Sequence, residues 1–94
     1  MLIIAGHLTV DPTERDSYVA ACAPVVRAAL ATEGCLDFSI TADTIDASRV
    51  RVYERWESEE QLLAFRGSGP SDDQQTAIID AAVHRYIIAS VEDP

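Results

Sequence analysis

The stretch SRVRVYERWESEE, from Ser48 to Glu60, decides the fold because an alternating strand runs directly into a helix start. Side chains two residues apart on a strand share a face. Glu54 and Trp56 therefore extend the face that Val50 and Val52 begin. The pattern predicts a strand whose apolar face ends in a carboxylate and in the chain's single tryptophan.

The flanking segments predict a hairpin on one side of this strand and a helix on the other. Ser58 with Gln61 three residues later forms a capping box, which predicts a short helix through about Arg66. Upstream, apolar and polar residues alternate from Leu36 to Ala42, as in a half-buried strand. With a turn at 44–47, this strand and the next form an antiparallel hairpin.

The N-terminal third predicts a strand followed by a bent helix. The strand is LIIAGHLTV, residues 2–10, and Asp11 with Glu14 marks the helix start. Pro24 lies within the helical pattern and is expected to bend the helix or loosen one turn. Gly34 ends it, free to adopt a left-handed conformation. The apolar stripe consists of Val19, Cys22, Val26, Ala29 and Leu30.

The C-terminal third predicts a loop at 67–70, a further helix from Ser71 to about Ala82, and a last strand from His84 to Val91. The order is β-α-β-β-α-β, an α+β ferredoxin-like fold with its second helix broken in two, and residues 1–94 form a single domain. The phase of the last strand stays open. His84 and Tyr86 share one of its faces, and Arg85 lies on the other.

Helices in this arrangement cover one face of the sheet. The other face is too apolar for comfortable solvation and too mixed for a core, which predicts a homodimer that packs sheet against sheet. The residues of that face are Ile3, Ala5, His7, Arg51, Tyr53 and Arg55.

Composition limits the classes of partner. The formal net charge is −9, so phosphates of a nucleic acid would be repelled. No apolar run approaches the roughly 20 residues of a membrane helix, and the N-terminal segment lacks the pattern of a secretory signal. We expect no membrane contact and a cytoplasmic protein. Cys22 and Cys35 have neither metal-ligand nor redox spacing. We expect both to be small buried hydrophobic residues and expect no metal site.

Two motifs make the chain resemble the antibiotic biosynthesis monooxygenase (ABM) family. Glu33–Phe38 matches an E-G-C-x-x-[FY] strand opening, and Glu54–Glu60 matches an E-x-W-x-[ST]-x-E passage into a helix. The resemblance implies a dimeric α+β barrel with a pocket between sheet and helices in each subunit. It also implies oxygenation of an aromatic polyketide-like or quinol substrate by O₂, without metal, flavin or any other cofactor.

The chain departs from that family pattern in two places. Many members carry histidines after the helix, whereas residues 65–70 contain none. Haem-degrading relatives carry an asparagine on the first strand, where this chain has Gly6 just before His7. The second departure argues against haem degradation. The first favours an alternative function, that of a non-catalytic dimeric module that binds a small molecule.

The resemblance places the candidate site around Trp56, whose indole either forms a wall for a flat aromatic ligand or plugs the core. Glu54 either accepts a hydrogen bond from a phenolic ligand or pairs with Arg66. Arg66, or Arg85 if it faces inward, would favour an anionic substrate, and His84 is the candidate base. Further candidate substrate-binding residues are Phe38, Phe65 and Tyr86.

Overall fold

A four-stranded antiparallel sheet organises the computed structural model, which describes residues 1–67 and 77–94. Its elements are β1 Leu2–Thr9, α1 Arg15–Ala21, α2 Ala23–Leu30, β2 Cys35–Ala42, β3 Arg49–Trp56, α3 Glu59–Arg66 and β4 Asp80–Ile87. The strand order is β2-β3-β1-β4, so the first and third strands are central. The predicted α+β ferredoxin-like class is confirmed.

The first helical segment divides at Cys22, which ends α1 and begins α2. Pro24 lies in the first turn of α2, where its missing N–H costs no helical hydrogen bond. The predicted bend is therefore confirmed. Asp11 does not cap α1; its carboxylate accepts from the backbone N–H and hydroxyl of Thr13 in the preceding turn. The segment ends at Leu30 with Ala31 as its C-cap, so the prediction that Gly34 ends the helix is wrong. Gly34 lies further along the chain and does have the expected left-handed backbone, with φ +89°.

The β2–β3 hairpin is fixed by Asp43. Its carboxylate accepts from the backbone N–H groups of Ile45 and Asp46 and from the Arg51 guanidinium. These bonds hold the pKa of Asp43 well below its usual range. Arg15 of α1 donates to the carbonyl oxygens of Asp43 and Asp46, which ties the helix to the turn. The predicted hairpin is thus locked at its closed end.

The last strand differs from the prediction in position. It begins at Asp80, opposite Thr9, and ends at Ile87, opposite Leu2. Residues 80–82 are therefore strand, so the prediction of a helix to Ala82 is wrong there. The strand ends at Ile87, so the prediction of a strand through Val91 is wrong beyond that residue. The capping signature at 71–74 and part of the loop at 67–70 lie outside the described residues. The pairing of β4 with β1 decides this boundary, and local helix propensity does not override it.

The core lies between the helices and one face of the sheet, called here the helix-side face. Its central residues are Leu2, Ile4, Ala29, Phe38, Trp56 and Leu62. Leu30, expected in the apolar stripe, is 53% exposed. In the described ranges 1–67 and 77–94, no helix has the length and apolar character needed to cross a membrane.

Candidate functional site

Glu54 and Trp56 meet on the helix-side face at the end of β3. The indole Nε1–H of Trp56 donates to Oε1 of Glu54 over 3.0 Å. Trp56 has no exposed surface, and Glu54 is 7% exposed. Alternation along the strand places both side chains on one face, which confirms that part of the prediction, and the hydrogen bond satisfies each polar group inside the core.

Two phenylalanines complete an aromatic cluster, defined here as Phe38, Trp56 and Phe65. The Phe65 ring lies 5.5 Å from the Trp56 ring and 5.8 Å from the Phe38 ring, measured between centroids. The Phe38–Phe65 pair has an edge-to-face geometry, a favoured arrangement of aromatic rings. Helix α3 supplies Phe65 and buries Leu62 beside it, so this helix holds the cluster against the sheet.

The Glu54 carboxyl is the titratable group that borders this cluster. Burial raises its pKa above the ordinary value, and the Trp56 N–H and the Arg66 guanidinium oppose that rise. Arg66 lies 3.9 Å from Oε2 of Glu54, a long ion pair. The Arg66 side chain is 48% exposed. A carboxylate with a raised pKa and a loosely held partner is suited to exchanging a proton with a bound phenol.

The next row of the sheet forms a floor beside this carboxylate. It consists of Val52, Gly6 and Val83, which lie opposite one another on three strands. Gly6 has φ +151°, and a Cβ there would collide with the carbonyl oxygen of Ala82 and lie 2.8 Å from Cα of Val83. The site accepts only glycine, so the centre of the floor carries no side chain. Val52 and Val83 are half-buried.

Arg85 lies on the helix-side face, across Ile4 from Glu54. Ile4 pairs with Glu54 on one side and with Arg85 on the other, and directly paired residues share a face. Arg85 also donates to Glu59 of α3 over 3.0 Å. The register therefore resolves the open phase of the last strand, with Arg85 turned toward the helices.

His84 and Tyr86 lie on the opposite face of the sheet. His84 pairs with Ala5 and Tyr86 with Ile3, and both side chains are exposed. The structure brings together five of the predicted site residues but separates these two from them, because β4 alternates in register with β1. The five are Phe38, Glu54, Trp56, Phe65 and Arg66.

The face that carries His84 is called the outer face, and no described helix covers it. Its residues are Ile3, Ala5, His7, Arg51, Tyr53, Arg55, His84 and Tyr86. The Arg55 Nε–H is buried in this face and has no hydrogen-bond partner in the part of the chain that the structure describes. Such an unsatisfied donor is destabilising, and an acceptor on a covering surface would relieve it.

Sequence reasoning missed two features of the site. The first is Gly6, where a glycine inside a strand pattern signals a close backbone approach. The second is the pair of Glu59 with Arg85, which has no local sequence signal because it joins α3 to β4. Neighbouring Cys35 lies opposite Trp56, and burial raises the pKa of its thiol. Within residues 1–67 and 77–94, no three metal-ligating side chains cluster.

The strand order and the helices packed on one face define a ferredoxin-like α+β protein, in which the buried Glu54 carboxylate lies beneath α3. Within that class, the model of the family "Antibiotic biosynthesis monooxygenase" matches residues 1–83. The chain therefore belongs to the antibiotic biosynthesis monooxygenase family. Members of this family are typically dimers. No curated protein matches the sequence significantly.

Solved structures share the fold at low sequence identity. A provisionally assigned antibiotic biosynthesis monooxygenase from Nitrosomonas europaea superposes with a TM-score of 0.81 at 13% identity, covering 96% of this chain and all of its own. One from Chloroflexus aurantiacus gives 0.76 at 21% identity, covering 98% of this chain and 96% of its own. One from Deinococcus radiodurans gives 0.74 at 13% identity, covering 100% and 98%.

Proposed function

We infer that the protein is a small cofactor-independent monooxygenase acting on an aromatic polyketide-like, phenolic or quinol substrate. Family membership supports a monooxygenase-like function in general. One observation carries the finer assignment: a buried carboxylate, Glu54, borders an aromatic cluster and has a raised pKa. A flat substrate next to such a cluster would contact aromatic surface and a proton acceptor at once.

Glu54 takes the role of base in this proposal. Its raised pKa brings proton affinity closer to that of an acidic phenol, and the Arg66 guanidinium then stabilises the resulting anion. The half-buried Phe65 would contact the substrate and exclude water, while the buried Phe38 and Trp56 pack against Phe65 from below. His84, the base expected from sequence, faces away from this cluster and is not assigned a step.

The chemistry requires no further electron donor. For an anthrone-like substrate, the enolised phenol loses a proton to Glu54 and the resulting anion donates electrons to O₂. A CH₂ group becomes C=O, one oxygen atom enters the product and the other leaves in water. The substrate supplies all four electrons, so the protein's contribution is to bind, deprotonate and orient it.

The test is oxygen uptake by metal-stripped protein against anthrones, naphthols and hydroquinones, with autoxidation subtracted. We expect saturable uptake with at least one substrate. Glu54→Gln, which retains an acceptor for the Trp56 N–H, is expected to lower kcat about 100-fold or more. Absence of uptake across the panel, or unchanged turnover in Glu54→Gln, would contradict the proposal.

A homodimer through the outer face is part of the proposed function. The buried, unpaired Nε–H of Arg55 and the half-buried Ile3 and Tyr53 favour a covered surface. Light scattering after gel filtration is expected to give twice the monomer mass. Tyr53→Glu, which places a charge in the middle of this face, is expected to shift the protein to monomer.

The alternative function is that of a non-catalytic dimeric module that binds a small molecule. Trp56 favours it, because the indole has no exposed surface and fills the space beneath α3. In that case the aromatic cluster is a closed core and Glu54 serves only to accept from Trp56. Binding of a panel compound without oxygen uptake would select this alternative.

A further inference from the structure

Two oppositely charged groups face the helices from the same row of the sheet. Glu54 and Arg85 lie on either side of Ile4, two strand spacings apart, which puts their Cα atoms at about 10 Å. The two side chains therefore bracket the row rather than pairing with each other. Each forms an ion pair with a residue of α3, Glu54 with Arg66 and Arg85 with Glu59.

The adjacent row provides a surface on which a flat molecule can rest. Gly6 leaves its centre bare, because any side chain would collide with the backbone at Ala82. Val52 and Val83 flank that centre with half-buried apolar surface. This floor lies beside the row that carries Glu54 and Arg85, two residues further along each strand, so a flat ligand on the floor can reach Glu54 at one end and Arg85 at the other.

We propose that this floor binds a two-ring aromatic carrying a phenol at one end and a carboxylate at the other, with Arg85 anchoring the carboxylate. The placement of the phenol at Glu54 rests on the proposed function, and the role of Arg85 is additional to it. Fused rings substituted at opposite ends hold their two polar groups at a separation comparable with that row. Arginine suits the second group, since its planar guanidinium binds a carboxylate through two parallel hydrogen bonds.

The present partner of Arg85 is a weak competitor. The Glu59 side chain is 61% exposed and that of Arg85 is 35% exposed, so solvent screens their 3.0 Å contact. A ligand carboxylate that approaches from the floor is more desolvated and replaces Glu59. The chain's net charge of −9 repels anions in general, so a preference for a carboxylated ligand requires a local cation.

The experiment compares three naphthalene probes by isothermal titration calorimetry. One is 6-hydroxy-2-naphthoate, whose groups lie at opposite ends, and the second is 2-naphthol, which lacks only the carboxylate. The third is 3-hydroxy-2-naphthoate, which has both groups side by side and cannot span the row. We expect 6-hydroxy-2-naphthoate to bind at least about tenfold more tightly than either control, the gain of one charge-assisted hydrogen-bonded pair.

Three variants assign that preference to Arg85. Arg85→Gln is expected to abolish the advantage of 6-hydroxy-2-naphthoate and to leave 2-naphthol binding within about twofold. Glu59→Gln removes the competitor and is expected to raise affinity for 6-hydroxy-2-naphthoate severalfold without loss of a buried group. Arg27→Gln, an exposed position on α2, makes the same charge change elsewhere and is expected to change neither affinity.

Equal binding of 6-hydroxy-2-naphthoate and 2-naphthol, no binding of either, or a preference that survives in Arg85→Gln would overturn the proposal. A preference that is unaltered or reduced in Glu59→Gln would overturn it as well. Oxygen uptake is measured on the same samples. Oxygen uptake without selectivity for the carboxylate would contradict only the role of Arg85. Arg85-dependent binding without oxygen uptake would contradict only the monooxygenase assignment.

Discussion

The two faces of the sheet are built from the same strands, yet alternate residues meet different surroundings. On the helix-side face, Trp56 has no exposed surface and its N–H is bonded to Glu54. One residue away, Arg55 lies on the outer face with a buried Nε–H that has no hydrogen-bond partner in residues 1–67 and 77–94. A side-chain period of two thus separates the packed core from a surface that no described helix covers.

Glu54 and Arg55 differ in whether their buried polar atoms have hydrogen-bond partners. Glu54 is tolerated in the core because an indole and a guanidinium face it. Among the described residues none accepts from the Nε–H of Arg55, so the cost of burying this donor depends on what covers the outer face. The residues of one chain are sufficient to pack the helix-side face. The outer face is expected to be fully packed only in a dimer.

The largest effect is expected for Trp56→Ala, which removes the largest fully buried side chain. It leaves a cavity beside Phe65 and takes away the donor to Glu54, so the free energy of unfolding is expected to fall by about 3–5 kcal/mol. Urea denaturation measures this. Tyr53→Ala on the outer face is the matched change, with an expected loss of about 1 kcal/mol or less in the monomer. Equal losses of unfolding free energy in the two variants would contradict the difference in packing between the two faces.

Gly6→Ala is expected to rank second. The φ of +151° and the collision with the Ala82 carbonyl force β1 and β4 apart, which lowers the free energy of unfolding by at least about 2 kcal/mol. Ala5→Gly, the neighbouring position on the outer face, is the control and is expected to cost about 0.5–1 kcal/mol. A Gly6→Ala protein as stable as wild type would mean that the floor tolerates a side chain.

Glu54→Gln is expected to change the pH dependence of stability. The pKa of Glu54 is raised by burial, so the folded state binds its proton more tightly than the unfolded state does. Wild-type stability therefore falls as pH rises from the ordinary glutamate pKa through the raised one. Glu54→Gln lacks this loss, so its melting temperature relative to wild type is expected to rise as the pH increases above the ordinary glutamate pKa. A constant difference across this range would contradict the raised pKa.

The smallest effect is expected for Arg55→Met, and its sign depends on whether a partner subunit covers the outer face. In a monomer the change removes an unsatisfied buried donor and is expected to stabilise by about 1 kcal/mol. In a dimer whose partner supplies an acceptor, it destabilises by a similar amount. Melting curves over a hundredfold range of protein concentration distinguish the cases, because only a dimer gives a concentration-dependent midpoint.

Much of the fold follows from local sequence signals. The N-cap at Ser58, the helix break near Pro24 and the left-handed backbone of Gly34 lie where the residues predict them. The alternation through β3 likewise assigns Glu54 and Trp56 to the core side. These features depend on neighbours a few residues away, so a single sequence is sufficient to predict them.

Other decisions required the tertiary structure. In the segment 80–87 the more apolar set of alternate residues also carries Arg85, so the sequence leaves the phase open. Pairing with β1 turns Arg85 inward and His84 outward. The bond between Trp56 and Glu54 and the contact of Arg85 with Glu59 likewise depend on distances across the fold. Local sequence signals were sufficient for β1, the broken first helix, the β2–β3 hairpin, α3 and the apolar face of β3, but not for the bounds of β4. Long-range strand pairing and helix packing decided which charged groups meet at the site, because those interactions join residues far apart in the chain.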